Sequence, residues 1–222
     1  MRFKVILTQP TADVPVNNQH QMNGFIYAIL GKNNEYHDKF SDYAISSLQG
    51  GKLDEENGIL KFNGEPFFNV SSENERFLMD FITGASSRHP SVFGMTIKRL
   101  DMLCDFAVHK KYDEVITISP IIVKRKDDMK LVYGKDEEWL ELLTKNCKDK
   151  LRYLGIEDPT FRIEIPNPEF AKEKSIWVGD TFNPCTMIKM VVYGKEKTRR
   201  AIYNLGFGGS TGSGFGSIEI YN

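Results

Sequence analysis

One order of elements can be read twice along this chain, and it narrows the available folds more than any other feature. The N-terminal run Arg2-Phe3-Lys4-Val5-Ile6-Leu7 is rich in β-formers and stops at Gln9-Pro10. From His20 to Gly31, residues Met22, Phe25, Ile26, Ile29 and Leu30 fall at i, i+3, i+4, i+7 and i+8, which predicts a helix. Residues 43–48 and 58–62 read as two strands separated by Gly50-Gly51 and Asn57-Gly58, and Phe67-Phe68-Asn69-Val70 as a third short one. A second helix is expected to start near Ser72, with Glu75 placed as in a capping box and Phe77, Leu78, Phe81 and Ile82 on its apolar face. An extended segment follows over 92–106. This is β-α-β-β-α-β, the ferredoxin-like order.

The order then starts again. VITISPIIV, within 113–123, reads as a strand. Residues 137–154 form a helical pattern with Leu140, Leu143, Cys147 and Leu151 on one side. Residues 161–165 alternate with period two, 186–193 (TMIKMVVY) read as another strand, 197–204 as a short helix and 217–220 as a last strand. The expected fold class is α+β, with two tandem ferredoxin-like (RRM-like, βαββαβ) domains over residues 1–110 and 111–222. A length of 222 residues suits two such domains, each able to bury a core.

Composition removes several function classes. Hydrophobic residues are 41% and charged residues 27%, ordinary for a soluble globular protein. Cys104, Cys147 and Cys185 are odd in number and form no CxxC pair, so neither a zinc knuckle nor a disulfide framework is expected. No apolar run approaches the ~18 residues of a membrane span, and strand-like sequence from Arg2 leaves no room for a signal peptide. A soluble, cytoplasmic protein with no membrane partner is the expectation. With a net charge of −1, any nucleic-acid surface has to be a local patch.

Such a patch is legible near the C-terminus. Between Gly206 and Gly216 lie six glycines, at 206, 208, 209, 212, 214 and 216. That density is expected at a ligand, where backbone amides turn outward and approach an anion, rather than in core packing. A phosphate-binding P-loop is excluded because no GK[ST] ending precedes a helix. A dinucleotide fingerprint fails on both spacing and context. A hairpin without a ligand stays open. Lys189, Lys195, Lys197, Arg199 and Arg200 face only Glu196 and Glu219 over the same stretch, which favours phosphate-backbone binding over a solvated helix face.

A glycine-rich loop ending in GFG before a short C-terminal strand resembles the signature of the RAMP proteins. Among them the chain is most similar to the CRISPR repeat-processing endoribonucleases, the Cas-six family. The strand MRFKVILT, the helix QHQMNGFIYAIL with Gly24 and Tyr27, and VITISPIIV also fall at the family's relative positions, so the resemblance spans nearly the whole chain. It implies cleavage of precursor CRISPR RNA within each repeat, leaving a 5′-hydroxyl and a 2′,3′-cyclic phosphate. No metal or other cofactor is required. Attack by the RNA's own 2′-hydroxyl needs a base for its proton, an acid for the departing 5′-oxygen and positive charge at the phosphorane oxygens. Histidine suits the first two roles, with a free pKa of ~6.5.

The family's catalytic histidine often sits just after the first helix, a place His37 occupies here, and Tyr27 matches its helix tyrosine. Lys39 is the expected source of transition-state charge, with Lys52 as substitute because the spacing from His37 is short. His20 resembles a position near the RNA. The glycines named above, with Arg199 and Arg200, are expected to bind it. His89 and His109 read as structural or solvated, and Asp38 receives no role. Two alternatives remain: a non-catalytic RAMP subunit that binds RNA in a CRISPR effector complex, and a general tandem-RRM binder. The latter lacks the expected aromatic signature strand. Effector-complex membership is a further possible partnership, and monomer and homodimer both stay open.

Overall fold

The structure is a computed structural model that describes residues 1–31, 34–36, 41–103, 111–125, 131–134 and 137–221. Its first half runs β1 (Arg2–Leu7), β2 (Val14–Pro15), α1 (Gln19–Leu30), β3 (Tyr43–Ile45), β4 (Gln49–Asp54), β5 (Ile59–Ser72), α2 (Glu75–Ser87) and β6 (Ile97–Leu103). β1 lies between β6 and β5, antiparallel to both, and β3 and β4 pair with the far edge of β5. That is the 4-1-3-2 ferredoxin-like arrangement.

The second half runs β7 (Tyr112–Thr117), α3 (Glu137–Tyr153), β8 (Arg162–Glu164), β9 (Lys172–Val178), β10 (Thr181–Met187), β11 (Lys189–Tyr193), α4 (Glu196–Leu205) and β12 (Ile218–Ile220). Its sheet order is β12-β7-β11-β8, all antiparallel, which is the same arrangement once more. The chain is therefore two tandem ferredoxin-like folds. The expected join at 110/111 abuts residues 104–110, which lie outside the described residues.

Three local expectations change. The strands read at 58–62 and 67–70 are one 14-residue strand, β5. Pro66 falls where β4 slips register between Gln49 (opposite Phe67) and Gly51 (opposite Phe62), a place where the β4 ladder needs no N–H from it. The second helix is capped by Asn74, whose side chain accepts from the Phe77 amide at 3.2 Å, while Ser72 ends β5. The strand read at 186–193 splits: β10 turns away to pair with β9, and only β11 joins the sheet. The β9–β10 hairpin is thus an insertion between the second and third strands of the repeat.

Each half has its own core. In the first, Phe25 and Phe81 from the helices meet Phe68 on the sheet, with Phe77 beside them; the second gathers Trp139, Leu143 and Cys147 of α3 with Ile202 of α4 and Val115, Met190 and Val192 beneath. Aromatics such as Phe68, Phe77 and Trp139, all fully buried, contribute the largest share, about 3–5 kcal/mol each against truncation to Ala.

Polar contacts join the halves. Arg2 donates to the Ile218 carbonyl at 2.6 Å and to Ser217 Oγ at 3.1 Å, with its guanidinium 4.6 Å from the Tyr203 ring centre. Ser71 Oγ donates to the Asn204 carbonyl at 2.9 Å. Among the described residues, no helix is long and apolar enough to cross a membrane.

Candidate nucleic-acid interface

Between the halves lies a cleft of about 380 Å³. Its walls are Tyr27 on α1, Tyr36 and Tyr43 from the first half, Asn146 and Lys150 on α3, and the glycine-rich segment from Gly208 to Ser213. A larger hollow of about 560 Å³ runs along the solvent face of α3, but its Arg152 and Arg162 are already paired with Asp149 and Glu164. The smaller cleft gathers more of the expected site.

The glycine-rich segment leaves α4 at Gly206, makes a 3-10 turn at Thr211–Ser213 and enters β12. Core packing explains more of its glycines than expected. Phe207 and Phe215 are only 0% and 2% exposed, pulling the backbone inward between them. At Gly216 (φ +66°) a Cβ would stand 1.9 Å from the Phe207 carbonyl oxygen. At Gly214 (φ +86°) it would stand 1.7 Å from Gln19 Nε2, which donates to the Ser213 carbonyl at 2.7 Å. Gly206 and Gly208 are also buried.

Several of the amides expected to turn outward face the protein instead. The amides of Gly206, Phe207, Gly209, Ser213 and Gly216 donate to the carbonyls of Ile202, Gly216, Ile122, Ser210 and Pro120, at 2.8–2.9 Å. What can meet a ligand is the stretch Gly208–Gly212, where Gly209 and Gly212 line the cleft and are only half-buried.

The basic patch divides likewise. Arg199 is buried, its guanidinium paired with Asp113 and donating through Nε to the Gly194 carbonyl at 3.1 Å. Arg199, expected to meet RNA, therefore has its charge engaged inside the second half. Arg200 is half-buried on the same helix, and Lys195 and Lys197 are exposed at its start. That start is capped by Asp158, which accepts from the Lys195 amide at 2.6 Å and from Thr198 Oγ1 at 2.7 Å. Burial works to raise the Asp158 carboxyl, but these bonds and those from Thr160 outweigh it and hold the pKa at about 2.

Of the expected catalytic residues, Tyr27 lines the cleft, half-buried on α1. His37 and Lys39 lie outside the described residues. Lys52 is exposed on β4 opposite Lys61 and does not line the cleft. His20 is exposed in the first turn of α1, beside Gln19 that grips the loop. His89 is exposed at φ +46°, before Pro90.

Three residues escaped sequence reading. Tyr43 stacks on Phe77 (4.1 Å between centroids, 13° between planes) and supports Gly212. Tyr36 donates its hydroxyl to Asp80 at 2.6 Å. Burial, foremost, raises the pKa of both phenols, so they stay protonated donors. Lys150 is 4% exposed on the inner face of α3 and donates to the Leu205 and Gly206 carbonyls at 3.2 and 3.1 Å. A signal for it existed: it continues the stripe Trp139, Leu143, Cys147, where a lysine is out of place.

Two ferredoxin-like folds closed over a glycine-rich loop define the tandem-ferredoxin class to which solved RAMP structures belong. Residues 106–220 match the family "CRISPR associated protein Cas6, C-terminal", and the chain belongs to the Cas6 family. It is 24% identical to the CRISPR-associated endoribonuclease Cas6 1 of Methanocaldococcus jannaschii, over 92% of this chain and 86% of that protein. A solved structure of a Cas6-related gene product from Pyrococcus furiosus superposes with a TM-score of 0.85 at 22% identity, covering 100% of this chain and 98% of its own. Another, described as a RAMP protein binding different RNA substrates, also gives 0.85, at 20% identity and full coverage of both chains.

Proposed function

We propose that the protein is an endoribonuclease of the cytoplasm that cuts precursor CRISPR RNA within its repeats, without a metal, by attack of the RNA's own 2′-hydroxyl. Family membership and the activity named for its archaeal relative support the RNA-processing reading. The observation that carries it to this cleft is the meeting of Tyr27 with the Gly208–Ser213 edge across about 380 Å³. We take the join between the two domains to fall at 110/111.

In this reading His37 removes the 2′-hydroxyl proton and the 2′-oxygen forms a bond to phosphorus. The bond from phosphorus to the 5′-oxygen then breaks, and that oxygen takes up the proton that His37 gives back. The products are a 2′,3′-cyclic phosphate and a 5′-hydroxyl. Tyr27 positions the 2′-hydroxyl, and Lys39, with Lys52 as substitute, neutralises the phosphorane. Gly209, Gly212, Arg200 and His20 hold the flanking RNA. The buried positions Gly206, Gly208, Gly214 and Gly216 keep the loop close enough to do so.

The second reading, an RNA-binding RAMP subunit without catalysis in a CRISPR effector complex, finds support in the RNA-binding description of one structural neighbour. Incubation with repeat RNA separates the two. Cleavage to cyclic-phosphate ends is expected, and binding without any cleavage would favour the subunit.

A further inference from the structure

The proposed chemistry leaves one buried charge unused. Lys150 Nζ has three donors, directed at the Leu205 carbonyl (3.2 Å), the Gly206 carbonyl (3.1 Å) and Thr211 Oγ1 (3.5 Å). All three acceptors are neutral. The only titratable group acting on it among the described residues is the thiol of Cys147, itself pushed up to about 12 by burial. The carbonyls belong to the C-terminal end of α4, whose dipole favours a cation but offsets only part of the cost of burying one. An apolar side chain would continue the stripe of α3 at no such cost.

What the ammonium secures is the cleft. Thr211, its third acceptor, donates in turn to the Tyr43 carbonyl at 2.9 Å, so one chain of bonds runs from α3 through the glycine-rich segment to the first half. Lys150 also lines the cleft floor directly, beside Gly209 and Gly212. A positive charge with no counter-ion among the described residues, under hydroxyl- and amide-bearing walls, is complementary to a phosphodiester.

We propose that Lys150 is a positioning residue of the RNA site, fastening the glycine-rich segment and lending it the positive potential that holds one RNA phosphate in the cleft. This rests on the RNA-binding reading above.

The test uses the full chain and repeat RNA carrying a 2′-deoxy group at the scissile nucleotide, with Lys150→Met and Lys150→Arg beside wild type. Lys150→Met is expected to melt at or above the wild-type temperature, since a buried charge is replaced by an apolar group of similar shape. Its dissociation constant should rise by about tenfold, and the log-log salt slope should flatten by ~0.7, one single-strand phosphate. Lys150→Arg should recover the slope. A lower melting temperature with wild-type affinity and slope in the folded protein would overturn the proposal, leaving Lys150 a purely structural clamp.

A wild-type measurement guards against a variant that does not fold. Burial lowers the Lys150 pKa to about 8, so a phosphate docking above it should draw in a proton. Calorimetry in two buffers of different ionisation enthalpy should show more proton uptake on RNA binding at pH 8.5 than at pH 6.5. Cys147, Tyr43 and Tyr36, all raised by burial, are protonated at both and silent. A histidine would give the reverse order, and equal or reversed uptake would overturn the proposal. If wild type binds no repeat RNA, the RNA reading itself fails and this inference with it. If wild type binds and Lys150→Met matches it, only this inference fails.

Discussion

The two halves share one sheet order and divide the chemistry of the cleft between them. The first contributes phenols: Tyr27 on α1, and Tyr36 and Tyr43 packed around Phe77. The second contributes backbone and cation, with the Gly208–Ser213 edge above Lys150. A fold used twice thus supplies phenolic hydroxyls on one side and backbone amides with an ammonium on the other. Within the second half the contrast repeats on a smaller scale. Arg199 and Arg200 are neighbours in sequence, yet one is locked to Asp113 and the other reaches the half-exposed face.

The largest effect should come from a residue of the first half of the sequence. His37→Ala is expected to slow single-turnover cleavage by ~10²–10⁴-fold while leaving repeat-RNA binding nearly intact, because a general base contributes chiefly in the transition state. A wild-type rate would move attention to Tyr27 and His20.

The arginine pair comes next. Arg199→Ala strands Asp113 in the core and should cost about 3–5 kcal/mol in denaturant unfolding. Arg200→Ala should leave stability alone and flatten the salt slope of RNA binding by ~0.7. Exchanged outcomes would reverse the division between them.

The glycines divide the same way. Gly216→Ala meets the Phe207 carbonyl oxygen at φ +66° and should destabilise by about 1–3 kcal/mol. At Gly209 the nearest protein atom to a new Cβ is 3.9 Å away, so Gly209→Ala should fold normally and weaken RNA binding alone.

The smallest effect is at Asp158. Its folded pKa of about 2 lies below the unfolded ~3.9, so its contribution is present above pH 4 and fades as pH falls towards 2. Asp158→Ala should lose about 1 kcal/mol at neutral pH, and its stability profile should lack that acid window. An unchanged acid profile would remove Asp158 as the cap of α4.

Most of the architecture was legible because it rests on local periodicity. Met22, Phe25, Ile26 and Ile29 announce α1, and the alternation at 161–165 announces β8. The β9–β10 hairpin was not, because Lys172-Glu173-Lys174 and Pro184 hide any alternation and its ladder pairs the two strands with each other rather than with the sheet. In the cleft, Tyr27 was legible through family resemblance. The burial of Arg199 was not, since its partner Asp113 is 86 residues away, and neither was the protein-facing side of the glycine loop, which depends on Gln19 and Ile122. Lys150 left a trace as a lysine on an apolar stripe, but its acceptors come from α4 and the loop beyond.

The most direct measurement is a single-turnover cleavage assay of the wild-type chain with repeat RNA in EDTA, run beside the same RNA bearing a 2′-deoxy group at the scissile nucleotide. The ribose substrate should be cut to a 2′,3′-cyclic phosphate and a 5′-hydroxyl at an unchanged rate in EDTA, and the deoxy substrate should bind and remain whole. Loss of cleavage on chelation with recovery on adding magnesium, or cutting of the deoxy substrate, would contradict attack by the RNA's own 2′-hydroxyl without a metal.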